Sequence, residues 1–171
     1  MNYCQLLSFD IANCRGISVT LFVSGCTNFC PGCHNPEAQD FNYGKLFTDE
    51  TLNRIIELMG REYIDSFVVS GGDPLHEKNI HTVFNICKAV KEAYPEKTIY
   101  VYTGYYLTDS DLPTYGIETY VDYFIDGPYM EEYRPKKVEL RGSTNQRCLK
   151  VVNEPGKDLL EDVSDQYFAE I

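Results

Sequence analysis

Three cysteines, Cys26, Cys30 and Cys33, stand in one short run, Cys-x-x-x-Cys-x-x-Cys. Thiolates are soft ligands, and such close spacing lets a single loop wrap a metal group. Pro31 and Gly32 permit the tight bend between the last two sulfurs. The ligand count bears on the chemistry. Three thiolates hold three irons of a [4Fe-4S] cubane and leave the fourth iron open, and an open position suits chemistry more than structure. A zinc site with His34 as fourth ligand is the alternative. His34 adjoins Cys33, which makes joint ligation awkward, and Cys4, Cys14, Cys87 and Cys148 are single and dispersed, with no second pair at zinc-ribbon spacing. Cys87 reads as a core filler.

The elements that must position this loop follow from hydrophobic pattern. Residues 17–23, 66–70, 98–102, 120–125 and 149–152 read as strands. Residues 52–59 and 80–93 read as helices, the first with Thr48 as N-cap. The alternation predicts an α/β fold built from βαβ units: an open, incomplete (β/α) barrel with a mainly parallel sheet and helices on one face. Residues 1–171 read as one domain, in which 154–171 form a loosely packed acidic tail with some helical character. Polar or glycine-rich motifs end strand after strand: the cysteine run, Ser-Gly-Gly-Asp-Pro-Leu at 70–75, Thr-Gly-Tyr-Tyr at 103–106 and Asp-Gly-Pro-Tyr at 126–129. Loops at the C-terminal ends of parallel strands build active sites, so these are expected to converge. Taken alone, Gly71-Gly72-Asp73-Pro74 is as much an ordinary strand-ending turn as a ligand loop.

A formal charge of -11 argues against nucleic acid and anionic lipid as partners. Residues 1–10 lack the basic and apolar regions of a secretory signal, and the longest apolar run is too short for a bilayer. A cytoplasmic protein is expected. There the seven cysteines are ligands, reactive thiols or core fillers, not a disulfide framework. His76 and His81 have no partner in sequence and read as surface residues.

The cysteine triplet in a loop after a strand resembles the radical S-adenosylmethionine superfamily. Thr20 to Cys26, Cys30 to Asn35, Ser70 to Leu75, Thr103 to Tyr105, Asp126 to Tyr129 and Arg141 to Arg147 narrow the resemblance to the activating proteins of anaerobic ribonucleoside-triphosphate reductase, over residues 1–147. The resemblance implies a shortened radical SAM fold and reductive cleavage of S-adenosyl-L-methionine. It implies a glycyl radical placed on the reductase, and an electron donor such as a flavodoxin. It assigns the cluster to Cys26, Cys30 and Cys33, with no catalytic residue beyond them. The methionine amino group would meet Gly71, Gly72 and Asp73, whose exposed carbonyls and carboxylate suit an ammonium. Gly32 stands where many members carry an aromatic residue against adenine. Adenine contact then falls to the Gly32 backbone, His34, Tyr102 or Tyr105. Asp10, Asp126 and the segment from Arg141 to Arg147 either hold the partner's glycine loop or are turn and solvated residues. A short, laterally open barrel suits a protein substrate better than a buried metabolite. The competing classes are a radical SAM enzyme for a small molecule, an iron–sulfur electron carrier, which wants a fourth cysteine, and a zinc module.

Overall fold

The computed structural model describes residues 1–109, 111, 116–137, 139–167 and, for backbone alone, 138 and 169–170. In chain order the elements are β1 (Asn2–Asp10), β2 (Ser18–Val23), β3 (Lys45–Leu46), α1 (Asp49–Met59), β4 (Ser66–Gly71), α2 (Ile80–Ala93), β5 (Thr98–Tyr102), β6 (Tyr123–Asp126), β7 (Lys137–Val138), β8 (Arg147–Val151), β9 (Leu160–Asp162) and β10 (Ala169–Glu170). Eight strands form one sheet in the order β3-β1-β2-β4-β5-β6-β8-β9, and β7 pairs with β10 apart from it.

The centre of the sheet, β2-β4-β5-β6, is parallel. The flanks are antiparallel: β3 and β1 on one side, β8 and β9 on the other. The expected mainly parallel sheet is therefore corrected to a mixed one in which antiparallel pairings outnumber parallel ones. Connection chemistry explains this. A parallel return needs a long crossover, usually helical. α1 and α2 supply it between β2 and β4 and between β4 and β5. The loop between β1 and β2 is too short for a crossover, so that pair turns back; β5 and β6 are parallel across a connection in which the described residues form only a 3-10 turn, and β8 returns antiparallel on β6.

Side chains alternate across the sheet. Val19, Leu21, Phe67, Val69, Ile99 and Val101 face α1 and α2 and share a core with Ile55, Met59, Val83, Cys87 and Val90. Val68, Tyr100, Ile125 and Cys148 pack on the other face with Cys14, Val163 and Tyr167. Burial on both faces makes the central strands read as unbroken apolar runs. The acidic tail contributes β9 and a 3-10 turn at Ser164–Gln166 where a loose helix was expected. Among the described residues no helix is long and apolar enough to cross a membrane.

Candidate metal centre

The cysteine loop follows β2, and its three thiols, each half-buried, line one cavity of about 360 Å³. Cys33 N–H donates to Cys30 O at 3.1 Å, closing a turn in which Gly32 takes a positive φ of 71°. The sulfurs already receive donors. Asn28 gives Cys26 Sγ its main-chain N–H at 3.4 Å and its amide at 3.5 Å; Asn35 N–H lies 3.4 Å from Cys33 Sγ. Burial pushes the Cys26 thiol up in pKa against the pull of these donors. A bound cation removes that cost by taking the thiolate outright.

The donor set fits a cubane. It consists of thiols alone, and N–H groups aimed at sulfur are the usual support of a thiolate cluster. Among the described residues no three His, Cys, Asp or Glu side chains gather closely enough to hold one ion. A cubane takes one thiolate per iron, so its ligands surround a volume and do not meet at a point. His34 packs its ring on Tyr129, centroids 4.7 Å apart.

Gly71 and Gly72, at the end of β4, line the same cavity, as do His34 and Tyr102. Their close backbone packing requires glycine: a Cβ on Gly71, which has φ of 100°, would lie 2.5 Å from Val23 O, and one on Gly72 would lie 2.5 Å from Gly25 O. Asp73 belongs beneath the cavity, not in it. It is fully buried, and its carboxylate accepts from Leu75 N–H, Thr103 hydroxyl, Gly104 N–H and the Asn28 amide at 2.9–3.0 Å. Burial pushes its pKa up while these four donors oppose it. The expectation that Asp73 receives a ligand ammonium gives way to a clamp joining the loops after β2, β4 and β5. Asn79 completes the clamp, donating to Ser24 O, Gly25 O and Asp73 O.

Tyr102 forms part of the cavity wall, with its hydroxyl shared between Asn13 O at 3.1 Å and Leu140 O at 2.9 Å. Gly32 and Tyr105 fall outside the lining; Gly32 lies against Glu131, and Tyr105 is partly exposed. His76, expected at the surface, is buried against Phe41.

The 4Fe-4S single cluster domain family matches residues 12–149. Similar proteins include the anaerobic ribonucleoside-triphosphate reductase-activating proteins of Haemophilus influenzae, 39% identical over 148 residues (85% of this chain, 96% of that one), and Enterobacteria phage T4, 38% identical over 147 residues (86% and 92%). The Escherichia coli K12 protein of that name is 34% identical over 148 residues (85% and 96%). The chain belongs to the family of anaerobic ribonucleoside-triphosphate reductase-activating proteins.

In this family member the segment after β6 also lines the cavity. Arg141 is the one Lys, Arg, Asp or Glu among the described lining residues. Two of its nitrogens bond the carbonyls of Gln146, Ser164 and Tyr167, while its buried Nε has no partner among the described residues. The buried Tyr129 hydroxyl also lacks one. Sequence reasoning offered the segment from Arg141 to Arg147 as a holder of the partner's glycine loop, not as a wall of this cavity, and it singled out neither Asn28 nor Tyr129, although both lie inside the motifs after β2 and β6. Asp126 and Arg147, left open above, pair with each other at 2.5–3.0 Å, with Asp126 fully buried. Asp10 is buried too. Its carboxylate accepts from Ala12 N–H, the Asn13 amide and Thr20 hydroxyl, and these donors outweigh burial and lower its pKa.

Proposed function

We propose that this chain cleaves S-adenosyl-L-methionine reductively at a [4Fe-4S] cluster on Cys26, Cys30 and Cys33, and so places a glycyl radical on an anaerobic ribonucleoside-triphosphate reductase. One observation carries the reading: among the described residues, three thiols and no fourth cysteine line the same cavity as a glycine backbone edge and a guanidinium Nε without a partner. The cluster, when bound, supplies one electron to the sulfonium, breaking the C5′–S bond to give methionine and a 5′-deoxyadenosyl radical that takes hydrogen from a glycine Cα.

The chain's own residues bind and orient. Asn28 and Asn35 direct N–H groups at the ligand sulfurs. Gly71 and Gly72 offer main-chain polar groups at the cavity wall to the ligand's ammonium, since no side chain keeps it away. Arg141 Nε and the Tyr129 hydroxyl are donors suited to its carboxylate or ribose oxygens. Tyr102 and His34 offer ring faces for adenine. At about 360 Å³ the cavity lies in the usual range of small-molecule sites. The parallel centre of the sheet, with helices on one face, is read as the open part-barrel of the radical SAM fold. The reading places the protein in the cytoplasm, supplied by a reductant such as a flavodoxin.

Anaerobic reconstitution followed by S-adenosyl-L-methionine, dithionite and the reductase tests this. Expected are about four irons per chain, 5′-deoxyadenosine, and an electron spin resonance doublet from a glycyl radical. A reduced cluster that cleaves nothing overturns the proposal.

A further inference from the structure

The 4Fe-4S family match ends at residue 149, and the chain beyond it folds back onto the cavity wall. We propose that this C-terminal segment is a strap whose carbonyls, at Ser164 and Tyr167, fix the Arg141 guanidinium so that it binds the carboxylate in the amino-acid part of the ligand. The inference rests on the function proposed above and adds to that site a carboxylate-reading residue and the element that positions it.

Arg141 lacks an anion. It joins none of the ion pairs among the described residues, whereas Arg15 holds Glu139 and Arg147 holds Asp126. Its acceptors are neutral carbonyls: Gln146 O at 3.2 Å, Tyr167 O at 3.0 Å and, at the long limit, Ser164 O at 3.5 Å. These tie down both terminal nitrogens. The guanidinium is planar, so the Nε–H direction is then fixed as well. A buried N–H without an acceptor is costly, and a carboxylate is the acceptor that suits a guanidinium best. The ligand carries one anionic group, its carboxylate. A ribose hydroxyl would leave the cation without a counter-charge.

The strap is built to hold this arm. Leu140, just before Arg141, has a φ of 65°, and Arg141 N–H closes a tight turn on Glu139 O at 2.8 Å. A bulky residue keeps such a backbone only where its surroundings over-determine it. Three contacts do so here. The Tyr102 hydroxyl donates to Leu140 O at 2.9 Å, Arg15 bonds Glu139 at 2.9–3.0 Å, and the strap takes the guanidinium. The strap is itself seated on β8. Val163 N–H donates to Cys148 O and Cys148 N–H to Ser164 Oγ, both at 2.9 Å. Tyr167 is buried with Tyr100 and Cys148. Arg15 lies over the Tyr167 ring at 4.0 Å and donates to Gln166 O at 2.6 Å. β10 then pairs with β7.

The test measures binding to the full chain, reconstituted anaerobically, by calorimetry with two probes. S-adenosyl-L-homocysteine carries the carboxylate but no cleavable sulfonium. 5′-Methylthioadenosine lacks the amino-acid part. Arg141→Met should raise the Kd of the first probe by about tenfold or more and leave that of the second within about twofold. Tyr167→Ala withdraws the ring that seats the strap and should raise the first Kd by about fivefold, again sparing the second. Tyr167→Phe keeps the ring and should keep the native Kd. Added to Arg141→Met, Tyr167→Ala should weaken binding no further, because both act through one guanidinium. If Tyr167→Ala does not fold, Arg15→Met, which frees Gln166 O from an exposed side chain, takes its place in the same comparison. Equal loss of both probes in Tyr167→Ala overturns the proposal, as a damaged pocket would do that. So does no loss, and so does a full further loss on top of Arg141→Met. Equal loss of both probes in Arg141→Met gives that residue to the ribose and overturns the carboxylate assignment. An unsubstituted protein that binds neither probe refutes the proposed function and the strap together. One that binds both and cleaves nothing refutes the proposed reaction, while the selective losses still carry the strap.

Discussion

Replacing Asp73 by alanine leaves four donors facing no acceptor: Leu75 and Gly104 N–H, the Thr103 hydroxyl and the Asn28 amide. Each buried orphan donor costs on the order of 1–3 kcal/mol, reduced where water enters. Asp73→Ala should therefore lower the stability of the cluster-free protein by about 3 kcal/mol, seen as a lower urea midpoint. A carboxylate whose work was ligand contact alone would leave that midpoint in place. Gly72→Ala is a second test at this scale. The new Cβ meets two carbonyl oxygens, Gly25 O at 2.5 Å and Ala38 O at 2.8 Å, both backbone and both tied to the cysteine loop. The variant should lose cluster occupancy as well as ligand affinity, measured as iron per chain after reconstitution. Weakened ligand binding with full iron content would contradict this. The sequence marks both residues, because glycines and an aspartate after a strand are visible as types. It does not reveal that Asp73 faces inward, because that depends on donors from loops 30 to 45 residues away.

At the scale of elements, α2 carries an instructive residue at its start. Asn79 occupies the N-cap position yet makes no side-chain cap bond. Its amide reaches the carbonyls of Ser24, Gly25 and Asp73 at 2.9–3.3 Å. As caps, Asn and Asp are equivalent. Asn79→Asp should nevertheless destabilise by about 2–3 kcal/mol, since a carboxylate would face three carbonyl oxygens. An unchanged melting temperature would return Asn79 to a plain helix cap. Thr48 gives the opposite case. Its capping box with Thr51 is exposed and local, and Thr48→Ala should cost about 0.5–1 kcal/mol, a fall of about 2 °C in Tm. The helices and central strands were legible because their apolar periods repeat over whole turns or full strand lengths: α2 and β5 have the bounds read from the sequence. β1 and β9 were not. β1 is mostly half-exposed with no clean alternation, and β9 is three residues long. Pairing with a neighbour, not local pattern, makes them strands.

Taken whole, the molecule separates what holds it together from what it would bind. Neither hydrophobic cluster includes Cys26, Cys30 or Cys33. The cysteine loop is anchored by main-chain bonds from Gly25 N–H to Ala38 O and from Cys26 N–H to Gln39 O, and by Asp73 and Asn79. That arrangement differs from a zinc finger, where metal binding and folding are one event. The mixed sheet has the same origin: antiparallel flanks complete the core without further helices, which local pattern alone cannot announce. The separation also sorts the seven cysteines. Cys4, Cys26, Cys30 and Cys33 are half-buried, while Cys14, Cys87 and Cys148 are buried. Burial pushes Cys87 up to about 12 and Cys148 up to about 11, and Cys14 upward as well, so these thiols stay protonated as well as inaccessible. The thiolate is the reactive form, and a buried thiol reacts only when the structure opens. After chelators strip the iron, the protein should keep its far-UV circular dichroism and unfold cooperatively. A thiol reagent at mildly alkaline pH should then modify Cys30 and Cys33 rapidly, Cys4 and Cys26 more slowly because burial pushes both thiols up, and the other three only at the rate of unfolding, as read by mass spectrometry of quenched samples. Fast labelling of Cys87 in the stripped protein would mean that the cluster holds the core closed, and that fold and site are not separable.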